Sequence, residues 1–244
     1  MSLDVYTGRQ AWYNNCNTDY EVNDMKFKAA IFDMDGTLID SLMLWDMLWS
    51  AFGDKYLNNK KFEPSPEDNK KVRTLTLRDA MDLIHTNYGL GESCEELLTL
   101  ANSITNDFYA NKVALKDGVL EFLNHCKTNG VKMCLATATA PDLLSTAIEH
   151  LGIGKYFEAI FSCATIGKGK EEPDIYLHAC KFLQEKPCET WVFEDSLTAI
   201  ETAAKIGMPT VGIYDRHNFG QDKIHGIATE YIAEGETLLK LINR

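Results

Sequence analysis

Positive charge is in short supply: 24 Lys and Arg stand against 36 Asp and Glu, for a formal net charge of -12. A chain so acidic does not grip nucleic acid phosphates over a broad surface. A small anionic substrate stays possible, because one metal and one lysine can reverse the field locally. No apolar run approaches the roughly 20 residues that span a bilayer, so no membrane partner is expected. The N-terminus lacks the charged, apolar and cleavage regions of a signal peptide: it is polar, with Asp4, Arg9 and several Asn. CxxC pairs are missing too. The seven cysteines are odd in number and scattered, which predicts reduced thiols rather than a disulfide framework or a zinc site, and a cytoplasmic location. Internal repeats and low-complexity tracts are absent. Residues 1–26 have little apolar periodicity and are expected to be a loosely attached leader.

What is present is a recurring grammar. A short apolar run, Ala29-Ala30-Ile31-Phe32, stops at Asp33-Met34-Asp35-Gly36-Thr37. Runs this short and continuous read as strands buried on both faces of a parallel sheet. Lys132 to Ala136 ends at Thr137, Thr190 to Phe193 ends at Glu194-Asp195, and Thr210 to Ile213 ends at Tyr214-Asp215. Helix-like stretches lie between them, with Gly130 and Gly207 as stops and Pro141 at a first turn. The alternation predicts an α/β fold, a doubly wound parallel sheet with a Rossmann-like core. Residues 42–112 break the rhythm. Leu44, Met47, Leu48 and Ala51, then Leu77, Met81 and Ile84, then Leu97, Leu100, Ala101, Ile104 and Phe108 sit at helical spacing. An all-α domain over 42–112 is therefore expected as an insertion in a core of 27–41 and 113–244.

Ligands of open parallel sheets bind beyond the carboxyl ends of the strands. Those ends here carry Asp33, Asp35, Thr137, Glu194 and Asp195. Four carboxylates at one edge repel one another in a poorly solvated site. A hard cation with oxygen ligands resolves that conflict, and Mg²⁺ suits it because it takes one or two carboxylates plus a substrate phosphate. Asp33 can then serve as a nucleophile that forms an aspartyl phosphate. Asp35, two residues on, can protonate the leaving alcohol and later activate water. Thr137 offers a hydroxyl, the backbone N–H of Ala138 just after it can bind phosphate oxygens, and Lys170 can neutralise the transferring group. Each has a bland reading as well. Thr137 can simply end a strand, Lys170 can belong to a solvated charged loop over 168–172, and Glu194 and Asp195 can cap the next helix. The ordered set, all at strand ends, favours chemistry.

The set resembles the haloacid dehalogenase-like superfamily, in its phosphatase and phosphomutase branch with a helical cap. The matching stretches are Phe32-Asp33-Met34-Asp35-Gly36-Thr37-Leu38-Ile39-Asp40-Ser41, then Leu135-Ala136-Thr137, then Lys170 to Tyr176, then Val192-Phe193-Glu194-Asp195-Ser196. The third departs from the usual Lys-Pro-x-Pro-Asp, with Glu171 at the first proline; spacing back from Pro173-Asp174 selects Lys170 over Lys168. The resemblance implies that Asp33 is nucleophile and Mg²⁺ ligand. It makes Asp35 the acid/base and a ligand through its carbonyl. Thr137 and Lys170 hold phosphate, and Glu194 and Asp195 complete the metal site. The substrate is then a small phosphorylated metabolite, a sugar phosphate above all. Nothing in the sequence demands more than a monomer.

Three functions compete. Dehalogenases of the superfamily lack an acid where Asp35 stands. A mutase resembling beta-phosphoglucomutase would carry an Arg-Ser pair in a cap loop, and Val72-Arg73-Thr74-Leu75-Thr76-Leu77 lacks that arrangement. A non-enzymatic binding module is disfavoured because both Asp33 and Asp35 are kept. Trp45, Arg73, Thr74 and Thr76 are the substrate-facing candidates of the helical segment, with cap core as the alternative for the tryptophan.

Overall fold

A computed structural model describes residues 28–73 and 75–242. The expected leader and Thr74 lie outside the described residues. The chain divides into two compact units, one of them Ser41–Val113 and the other holding the described residues on either side of it.

The larger unit is built on six parallel strands: β1 Ala29–Phe32, β2 Lys132–Thr137, β3 Ala159–Ser162, β4 Thr190–Glu194, β5 Thr210–Ile213 and β6 Glu230–Ile232, in the order β3-β2-β1-β4-β5-β6. Central β1 is buried at every residue, which explains its continuous apolar run: Ala29 and Ile31 face one side of the pleat, Ala30 and Phe32 the other. Ile31 joins a cluster with Cys134, Val192, Tyr176 and Ala179. Phe32 stacks on Phe193 with ring centroids 4.4 Å apart, and both meet Phe122 edge-on or tilted.

Numbering the helices along the chain, α1 to α4 (Leu44–Leu57, Pro66–Val72, Leu77–Tyr88, Cys94–Asn111) form the smaller unit. The larger carries α5 Val119–Thr128, α6 Pro141–Leu151, the short α7 Cys163–Ile166, α8 Asp174–Leu183, α9 Leu197–Lys205 and α10 Gln221–Ile227. Pro66 and Pro141 open their helices, and Ser65, Thr76 and Ser93 cap α2, α3 and α4 by accepting from Asp68, Asp79 and Glu96 N–H groups. The core of the small unit is Leu48, Trp49, Phe52, Met81, Ile84, Leu97 and neighbours, with Trp45 partly buried against it. Trp49, Phe62 and Tyr88 pack edge-to-face.

Two strands were not read from the sequence. β3 and β6 lie at the sheet edges, are 4 and 3 residues long, and are only partly buried, so neither shows the doubly buried apolar run that marks the centre. One expectation is corrected: Cys188 is disulfide-bonded, while Cys94, Cys126, Cys134, Cys163 and Cys180 are free thiols. Burial of the last four leaves them as apolar filling. Among the described residues no helix is long and apolar enough to cross a membrane.

Candidate active site

Asp33 and Asp35, Thr137, and Glu194 and Asp195 lie at the carboxyl ends of β1, β2 and β4. Beyond β1, the Asp33 N–H still bonds the Phe193 carbonyl at 2.9 Å, so Asp33 is fixed by the sheet itself. The chain then folds into a tight loop in which the N–H groups of Thr37, Leu38 and Ile39 all reach the Met34 carbonyl. Gly36 makes that loop with φ +80, a conformation that disfavours any side chain.

Asp33, Glu194 and Asp195 are buried, and each offers a carboxylate oxygen within 4.8 Å of the others. The ammonium of Lys170 donates to Asp33 Oδ1 and to Glu194 Oε1. Lys168 instead pairs with Asp174 at 3.1 Å and is half exposed. Geometry therefore puts Lys170, and not Lys168, among the carboxylates. The second oxygen of Glu194 accepts from the N–H groups of Asp195 and Ser196, both at 3.0 Å, at the start of α9. Neither carboxylate caps the helix: one oxygen of Glu194 takes the two N–H groups that precede it, while the other is turned into the cluster. Asp195 receives Thr37 Oγ1 on Oδ1 at 3.1 Å and Asn218 Nδ2 on Oδ2 at 2.7 Å.

Burial pushes the Asp33 carboxyl well above its ordinary pKa; Lys170 pulls it back, while Glu194, Asp195 and Asp35 push further. Burial, then Glu194, raises Asp195 to about 7 against the Asn218 hydrogen bond and the Lys116 charge. Burial works against the Lys170 ammonium, but Asp33 and Glu194 outweigh it and hold its pKa well above the lysine norm. Three clustered carboxylates, two of them paired with one ammonium, are short of positive charge. Hard oxygen donors so clustered fit a divalent cation such as Mg²⁺.

Asp35 is less buried than Asp33, and its Oδ2 accepts from the Thr139 hydroxyl. Thr137, fully buried, does not aim its hydroxyl at a carboxylate: Oγ1 accepts the Thr139 N–H at 3.0 Å, closing a turn that leaves Ala138 exposed. Ser162, at the end of β3, donates to the Thr139 carbonyl at 2.8 Å. Thr139, Ser162 and Asn218 were missed in the sequence. Thr139 follows a recognised strand end by two residues and was findable; Ser162 sits on an unread strand, and Asn218 lies far along the chain with no motif around it.

In the smaller unit the candidates have local work. Arg73 donates to the Leu42 carbonyl at 3.0 Å and to Asp46 Oδ1 at 3.1 Å, and its side chain is only 13% exposed. Thr76 caps α3 and donates to Asp79 Oδ2 at 2.7 Å. Trp45 packs on the helical core. The same unit holds a cavity of about 580 Å³ lined by Trp49, Phe62, Pro64, Asn69, Lys60 and Lys61, among others.

Comparison with known proteins identifies the family. Residues 27–207 match the model of the haloacid dehalogenase-like hydrolase family. The chain is 28% identical to validoxylamine A 7'-phosphate phosphatase of Streptomyces hygroscopicus subsp. limoneus, over 88% of this chain and 93% of that one. It is 25% identical to the phosphorylated carbohydrates phosphatase of Thermotoga maritima, over 86% and 96%. A solved Thermotoga maritima protein, provisionally named a beta-phosphoglucomutase, superposes with a TM-score of 0.72 at 24% identity, covering 84% of this chain and 94% of its own, and so shares the fold. The match spans β1 to β4, the helical insertion and the carboxylate cluster together: the chain belongs to the haloacid dehalogenase-like hydrolase family.

Proposed function

We propose that this chain is a Mg²⁺-dependent phosphatase that hydrolyses a small phosphorylated metabolite, a sugar phosphate by class, through a phospho-aspartate at Asp33. The observation that carries the reading is the sharing of the Lys170 ammonium between Asp33 and Glu194, with Asp195 beside them and Asp35 on the same loop. The substrate class is suggested by the two phosphatase relatives, one named for validoxylamine A 7'-phosphate and the other for phosphorylated carbohydrates.

Asp33, Glu194 and Asp195 would hold the cation, with the Asp35 carbonyl as a further donor; when bound it supplies positive charge to the phosphoryl oxygens. An Asp33 carboxylate oxygen attacks phosphorus. The bond from phosphorus to the substrate oxygen breaks, and Asp35 gives that oxygen its proton. Water then loses a proton to Asp35 and attacks phosphorus. The Asp33–phosphorus bond breaks, and phosphate leaves. Thr137, the Ala138 N–H and Lys170 bind the phosphoryl oxygens. Lys170 is already poised, since its charge lies against the nucleophile. The helical segment, 42–112, acts as a cap that selects the leaving group and excludes water.

Incubation with Mg²⁺ and an aryl phosphate tests this directly. Phosphate is released by the wild type, and neither Asp33→Asn nor the chelated wild type turns over. No turnover by wild type, or equal turnover by Asp33→Asn, contradicts the reading. Hexose phosphates separate hydrolysis from the mutase alternative: free phosphate marks a phosphatase, and isomerised sugar phosphate without release marks a mutase.

A further inference from the structure

The loop after β5 lies outside the stretch matched by the family model, yet it reaches the carboxylate cluster. We propose that Asn218 is a positioning residue of the metal site, locking Asp195 in the orientation that binds the cation; this rests on the Mg²⁺ reading above. Asn218 Nδ2 donates twice to Asp195, at 2.7 Å to Oδ2 and 2.9 Å to the backbone carbonyl. Its amide cannot be turned the other way without loss. Oδ1 accepts the Phe219 N–H at 2.8 Å, so Nδ2 is the end that faces the carboxylate.

The loop that presents Asn218 is itself tied down. Asp215, buried at the end of β5, takes Lys116 Nζ on Oδ2 at 2.7 Å and the His217 N–H on Oδ1 at 2.8 Å. The Asn218 N–H and the Gln221 side chain both bond the Asp215 carbonyl. Lys116 is anchored in turn, because its N–H bonds the Leu38 carbonyl at 2.9 Å, one residue past Thr37. The two donors to Asp195, Thr37 and Asn218, therefore belong to segments that one lysine links. Each Asp195 oxygen is held by one of them, from separate segments, and keeps lone-pair capacity for a metal. A carboxylate so clamped has its rotamer chosen before the cation arrives, which is the usual work of groups that bond a metal ligand.

Binding of Mg²⁺ to the metal-free protein, titrated calorimetrically and by the rise in melting temperature, is the test. The wild type binds; Asn218→Ala weakens binding by roughly 10–100-fold, and Asn218→Leu, close in shape but uncharged and without the donor, weakens it at least as much. Circular dichroism reports the fold, and binding is compared for whichever variant is folded. A folded variant with wild-type Mg²⁺ affinity overturns the proposal while leaving the metal site intact. A wild type that does not bind Mg²⁺ overturns the metal reading, and the proposal with it.

Discussion

At the residue scale, Lys170 decides whether the carboxylate cluster can exist. Its ammonium is buried with Asp33 and Glu194, and removing one partner from a buried ionic group typically costs about 3–5 kcal/mol. Lys170→Met is expected to lower the melting temperature in chelator and to recover part of it in Mg²⁺, since a divalent cation replaces the lost charge. Its kcat should fall by roughly 10²–10³-fold even at saturating metal, because a donor to the transferring group is gone. Stability unchanged in chelator would show that the pair is not formed. The raised carboxyls make a second prediction. In the metal-free protein, Asp195 titrates near about 7 instead of 3.8 because it is buried, so the folded state holds a proton that the unfolded chain has released. That contribution is full at pH below about 4 and is lost as pH rises through about 7. Mg²⁺ competes with the same proton. The gain in melting temperature on adding Mg²⁺ should therefore grow from about pH 5 to about pH 8; a constant gain would contradict the burial argument.

At the scale of elements, legibility followed burial and proximity. The β1 loop was readable because Asp33, Asp35 and Gly36 are neighbours in sequence and the strand before them is apolar throughout. Central β2, β4 and β5 were readable for the same reason. Edge strands β3 and β6 were not, because they are short and only partly buried, and with β3 went Ser162 and its hold on the Thr139 turn. Pairs such as Thr37 with Asp195, 158 residues apart, leave no local pattern at all. In the helical unit, spacing located the helices but not the duties of single polar residues. Thr76 was a substrate-facing candidate and is found capping α3. Thr76→Ala should cost about 1 kcal/mol of stability in urea unfolding and leave KM unchanged. A changed KM with unchanged stability would assign Thr76 to the substrate instead.

At the scale of the whole molecule, an acidic chain that takes an anionic substrate needs positive charge at one sheet edge; Lys170 supplies part of it and the proposed cation would supply the rest. The net charge of -12 describes the surface that substrate meets at a distance; Lys170 and the cation site govern what it meets on arrival. The central claim is that Asp33 becomes covalently phosphorylated and is then hydrolysed. Rapid acid quench of wild type mixed with aryl phosphate and Mg²⁺, followed by mass analysis of peptides, measures this most directly. The account predicts one phosphoryl group on the peptide bearing Asp33, sensitive to hydroxylamine, and none on Asp33→Asn, whose kcat falls on the order of 10⁴-fold or more. A phosphoryl group on another residue, or wild-type turnover by Asp33→Asn, would contradict it.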